Sequence, residues 1–105
     1  MQPVTILIIN NKQPQKGMLL FTIQDKLTII IAENGKDGLN EIQENKIDLV
    51  LVDSDLPDMK GIDVLHKIQA IKPDTHVILK GENLNAEKET IYNDIMGLLE
   101  NPLSY

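Results

Sequence analysis

Cysteine is absent from the 105 residues, which excludes disulfides, thiolate metal sites and thiol nucleophiles. Arginine is absent too. All ten basic residues are lysine, so the planar fork that grips phosphate or guanine through two hydrogen bonds is unavailable. With no Trp, one Phe and two Tyr there is no aromatic platform on which bases could stack. Sixteen acidic residues against ten basic ones give a formal charge of −6, and a direct nucleic-acid partner is not expected. No apolar run approaches the ~20 residues of a membrane span, so no membrane association is expected. The opening Met1-Gln2-Pro3 lacks the basic and apolar regions of a signal peptide, and the cytoplasm is the expected compartment.

What the chain does have is aliphatic bulk. Fifteen Ile, fourteen Leu and five Val, in a composition 42% hydrophobic and 25% charged, suit a folded domain with an aliphatic core. Such usage is typical of parallel strands covered by helices on both sides. Residues 1–105 read as one domain, without internal repeat or linker.

Short apolar runs alternate with helical periodicity. Val4 to Ile9 (VTILII), Leu27 to Ala32 (LTIIIA), Ile47 to Val52 (IDLVLV) and His76 to Leu79 read as strands. Between them, Leu20, Ile23 and Leu27 recur at helical spacing after Pro14, which predicts a first helix despite Gly17 and Thr22. Asn34-Gly35 is placed to open a second helix carrying Leu39 and Ile42, and a third is expected from about Gly61 to Ile71, stopped by Lys72-Pro73. The last apolar run supports two readings. Ile91, Ile95 and Leu98 share one helical face, whereas Gly97-Leu98-Leu99 could begin an edge strand; the strand is preferred. The alternation implies right-handed βαβ units, with the ligand site at the carboxyl ends of the strands. That places Asn10, Asn11, Asp53, Lys80, Gly81, Glu100 and Asn101 at the edge where chemistry would occur.

Asp53 closes an apolar strand there, and the segment after it is distinctive. Asp53-Ser54-Asp55-Leu56-Pro57-Asp58-Met59-Lys60-Gly61 resembles the phosphoacceptor signature of response-regulator receiver domains: Asp, two residues, Leu or Met, Pro, one residue, Met, one residue, Gly. Ala32-Glu33-Asn34-Gly35 with Leu39 is similar to the family's second-strand turn and helix, so the resemblance runs from about Val4 to Pro102. It implies a flavodoxin-like, three-layer α/β/α fold with a five-stranded parallel sheet in the order 2-1-3-4-5. It also implies two-component signalling, with Asp53 as phosphoacceptor and a histidine kinase or output protein as partner.

Around Asp53 this sequence departs from the family's pattern. The acidic pair that holds Mg²⁺ is here Asn10-Asn11, leaving Asp53 and Asp55 as the candidate ligands of a weakened Mg²⁺ site. The hydroxyl residue ending the fourth strand is Lys80, the charge-neutralising Lys of the fifth strand is Asn101, and the aromatic switch position falls on Leu98. These substitutions predict a pseudo-receiver, non-enzymatic, that works by protein contact without phosphorylation; a working phosphoacceptor is the alternative. Lys80 is placed to pair with Asp53 and stand in for the metal, or else to extend into solvent. His66 and His76 lack a second ligand cluster and are expected at the surface. A small flavin or nucleotide protein would need a Gly-, Ser- or Thr-rich cradle after the first strand, and Asn10 to Lys16 supplies none. Only Leu103-Ser104-Tyr105 follows Pro102, so the family's fifth helix is expected to be missing. The apolar surface this would bare predicts a homodimer or a partner helix.

Overall fold

The computed structural model describes residues 4–10, 19–23, 27–81 and 85–100. Strands β1 (Val4–Ile9), β2 (Leu19–Ile23), β3 (Leu27–Ala32), β4 (Leu49–Val52) and β5 (His76–Leu79) form one sheet in the order β2-β3-β1-β4-β5. Four of them, β3, β1, β4 and β5, run parallel side by side. Ile9 sits opposite Ala32 on one side and Val52 on the other, and Val52 sits opposite Leu79. Helices α1 (Gly35–Glu44), α2 (Gly61–Ile71) and α3 (Ala86–Glu100) complete the three layers.

The doubly covered strands expected from the apolar runs are present because side chains alternate across the sheet. Leu7, Ile9, Ile30, Ala32, Val50, Val52 and Leu79 face α1 and α2, where they meet Ile42, Val64, Leu65 and Ile68. Ile6, Ile8, Ile29, Ile31, Leu51 and Ile78 face the other way and meet Tyr92 and Ile95 of α3. Both faces are dry, and the fold is the flavodoxin-like parallel sheet with flanking helices.

Two elements differ from the sequence expectation. Residues 19–23 are not helical. They form an antiparallel edge strand against β3, from Leu19 opposite Ile31 to Ile23 opposite Leu27, while residues 14–18 of the expected helix lie outside the described residues. The run Leu-Leu-Phe-Thr-Ile suits a strand, and only three residues separate it from β3, a length that favours an antiparallel hairpin. The sheet therefore has five strands, of which four are parallel, and the fifth parallel strand is absent from the described residues.

The segment 95–99, read as that strand, belongs to α3. Asn85 starts this helix: its Oδ1 accepts from Lys88 N at 2.8 Å and its carbonyl accepts from Glu89 N at 2.9 Å. Glu87 and Glu89 lie in the first turn, where carboxylates favour the helix dipole. Ile91, Tyr92, Ile95 and Met96 form one stripe against the sheet, and burying it outweighs the ~1 kcal/mol helical penalty of Gly97. α3 thus covers the face that a missing fifth helix was expected to bare. Among the residues whose burial is described, Val4 and Ile71 are the large hydrophobics with substantial exposure, at 46% and 41%.

Candidate functional site

Three backbone hydrogen bonds extend the parallel ladder one residue past the strand ends. Asn10 N donates to Ala32 O at 3.0 Å, Asp53 N to Ile9 O at 3.0 Å and Lys80 N to Val52 O at 2.9 Å. Asn10, Asp53 and Lys80 consequently stand in one row along the carboxyl edge, one step beyond Ile9, Val52 and Leu79. Strand alternation turns that row to the face opposite α1 and α2, toward α3. Asp53 is 3% exposed and Asn10 4%, and they are the two buried polar side chains among the described residues apart from tyrosine.

The residue that meets the row is Tyr92 of α3. Its side chain is 3% exposed and its hydroxyl makes no hydrogen bond of normal geometry. Burial pushes the phenol above its usual range and the Asp53 charge adds to the push, while the Asn10 amide acts against both. The Lys80 ammonium lies over the ring, 5.7 Å from its centroid. Lys80 itself is exposed, and its ammonium lies against this ring.

The loop after Asp53 shows why its residue spacing matters. Asp55 N approaches Asp53 Oδ1 at 3.4 Å, and a β-bridge between Asp55 and Lys60 folds the loop back. Leu56 and Met59 tuck against the α1/α2 core. Gly61 N then donates to Ser54 O at 2.9 Å, bringing the Gly61 Cα so close beneath Asp53 that a Cβ there would overlap the Asp53 carbonyl. A side chain at this position has nowhere to go.

Asp58 performs a task that no local pattern announced. Its carboxylate accepts from Gly35 N at 2.8 Å and Lys36 N at 2.9 Å, while Asn34 Oδ1 accepts from Asp37 N at 2.8 Å. The open N–H groups at the start of α1 are thereby satisfied, partly from a loop 22 residues away. Slight burial acts to raise the Asp58 pKa, but these backbone donors outweigh it and hold it below 3.8. Asp58→Ala is expected to cost about 1 kcal/mol at neutral pH, the usual worth of a helix cap. Because the folded pKa is depressed, that contribution is present above 3.8 and is lost as pH falls through the folded value. Urea unfolding of wild type and variant should therefore differ at pH 7 and converge as the pH drops toward 3.

Of the residues singled out from sequence, the structure brings Asn10, Asp53 and Lys80 together. Asp55 is exposed, with only its backbone N–H directed at Asp53. Asn11 and Asn101 lie outside the described residues, and Leu98 is in helix α3 rather than on a strand. His66 and His76 are both exposed. Tyr92 was not anticipated, since its place beside the row arises from a contact between residues far apart in sequence.

The described residues offer a resident Mg²⁺ ion little negative charge. The row offers one carboxylate and one neutral amide, and among the described residues no three His, Asp or Glu side chains converge on a common point. Mg²⁺ surrenders its water reluctantly and relies on carboxylate charge to offset that cost.

The model of the response regulator receiver domain matches residues 6–103. The chain belongs to this family, the receiver domains of two-component signalling, whose members are generally non-enzymatic and interact with histidine kinases and output domains. Over 103 residues it is 30% identical to the autoinducer 1 sensor kinase/phosphatase LuxN of Vibrio campbellii, a match covering 96% of this chain and 12% of that protein. It is 32% identical over 98 residues to the probable transcriptional regulatory protein TcrX of Mycobacterium tuberculosis, covering 92% of this chain and 40% of that protein. The chain thus spans well under half the length of either relative. In fold it is similar to a CheY-like receiver domain protein from Methanospirillum hungatei JF-1, with a TM-score of 0.62 and 23% identity over 88% of this chain and 74% of that one. No helix among the described residues is long and apolar enough to cross a membrane.

Proposed function

We propose that this receiver domain signals by protein contact without phosphorylation of Asp53, its partner being a histidine kinase or an output protein of a two-component pathway. The observation that carries this reading is the Asp53 carboxylate itself, 3% exposed beside a neutral Asn10 and a buried Tyr92. Phosphoryl transfer to a carboxylate needs the donor within reach and its spreading charge neutralised by cations or a metal ion. The burial of Asp53 opposes the first requirement, and Lys80, next to it in the row, lays its ammonium over the Tyr92 ring.

A working phosphoacceptor is the second reading, favoured by the loop that still folds Gly61 beneath Asp53 as the family signature requires. Intact mass after incubation with acetyl phosphate and Mg²⁺ separates the two. No adduct is expected, under conditions that label a conventional receiver. Gain of one phosphoryl group by the wild type but not by Asp53→Ala would replace the first reading with the second.

A further inference from the structure

We propose that Tyr92 is a latch by which helix α3 closes the Asp53 carboxylate from solvent, so that the carboxylate becomes accessible only when α3 is displaced. The proposal deepens the reading of an unphosphorylated Asp53, and it rests first on where α3 lies. Helices α1 and α2 share one face of the sheet and pack against a common core. α3 is the helix of the opposite face among the described residues, held by the single stripe of Ile91, Tyr92, Ile95 and Met96. An element attached by one stripe opens at lower cost than one wedged between neighbours.

The second support is the tyrosine hydroxyl. A Phe would fill the same apolar space without burying an oxygen that lacks a normal hydrogen bond, so packing alone does not account for Tyr92. The ring meets the row through Lys80, whose ammonium is 5.7 Å from its centroid, and the Asp53 charge adds to the rise in the phenol pKa. Lys80, from the neighbouring strand, lays its ammonium on the ring and holds the tyrosine from the solvent side. Ring and cation thus lie together on the side of the row that faces α3. Glu87, Glu89, Thr90, Asn93 and Asp94 of α3 remain exposed on its other side, so anything that draws α3 outward is linked to exposure of Asp53.

Carboxyl labelling tests the latch without calling on phosphoryl chemistry. A water-soluble carbodiimide activates an accessible carboxylate, glycinamide displaces the urea to form an amide, and peptide mass mapping reports the rate at Asp53 beside the exposed Asp55. In the wild type Asp53 is expected to label about tenfold or more slower than Asp55, the protection of a group that reacts only through local opening. Tyr92→Ala and Tyr92→Leu should remove most of that protection, whereas Tyr92→Phe, which keeps the ring, should retain it. Tyr92→Leu preserves apolar packing and answers the question if the alanine variant does not fold. Wild-type Asp53 labelling as fast as Asp55 overturns the latch, and so does unchanged protection in a folded leucine variant. Either result leaves the phosphodonor experiment above to decide independently whether Asp53 accepts a phosphoryl group.

Discussion

Gly61→Ala should destabilise the domain by about 2 to 3 kcal/mol, at the upper end of what overpacking a core position costs. The new Cβ would overlap the Asp53 carbonyl and come within 2.7 Å of Leu79 Cδ1. Neither neighbour can yield. The carbonyl is backbone, fixed by the ladder bond from Asp53 N to Ile9 O, and Leu79 is completely buried. Gly35 makes a partial contrast, because a Cβ there would overlap the Met59 side chain, which is flexible and only partly buried, and come within 3.0 Å of Val64 Cγ2. Gly35→Ala should accordingly cost less than Gly61→Ala. For a chain of this length the Gly61 effect corresponds to a fall in Tm of roughly 10 to 20 °C, readily seen by circular dichroism. A Gly61→Ala protein melting with the wild type would mean that the Asp53 loop is not folded as described.

The same contact explains how much could be read in advance. Strands 4–9, 27–32 and 76–79 and the helix Gly61–Ile71 declare themselves through period and punctuation, and the structure places them at those bounds. The edge strand Leu19–Ile23 did not. Leu20, Ile23 and Leu27 satisfy a helical spacing as well as a strand, and the pairing with β3 that decides between them is not a property of the segment. At the other end Gly97-Leu98-Leu99 reads as the start of an edge strand, whereas the burial of Tyr92 and Ile95 carries helix α3 through it. The site divides along the same line. Asp53, Asn10 and Lys80 were legible because each is the first residue beyond an apolar strand, a position that the ladder fixes. Tyr92 and the capping role of Asp58 were not, because both arise from contacts between residues far apart in sequence, with no local signal.

Asn10→Asp should show how far the site has moved from a metal-binding one. The substitution is nearly isosteric, yet it sets a second carboxylate at a position 4% exposed, next to Asp53 at 3%. Two buried like charges cannot both remain ionised cheaply, so the variant either takes up a proton at neutral pH or loses stability. We expect a loss of about 2 to 3 kcal/mol at pH 7 without divalent cations, seen as a fall in Tm of roughly 10 to 20 °C. The loss should shrink as the pH falls, since protonation of the introduced carboxyl removes the like-charge pair. Mg²⁺ should separate the variant from the wild type. With two adjacent carboxylates the variant acquires the charge that Mg²⁺ requires, and added ion should raise its Tm by mass action while leaving the wild type unmoved. Equal Tm values for the two proteins, with and without Mg²⁺, would contradict the burial of this edge. Stabilisation of the wild type by Mg²⁺ would instead show that one carboxylate and an amide suffice to hold the ion, and would strengthen the phosphoacceptor reading of Asp53.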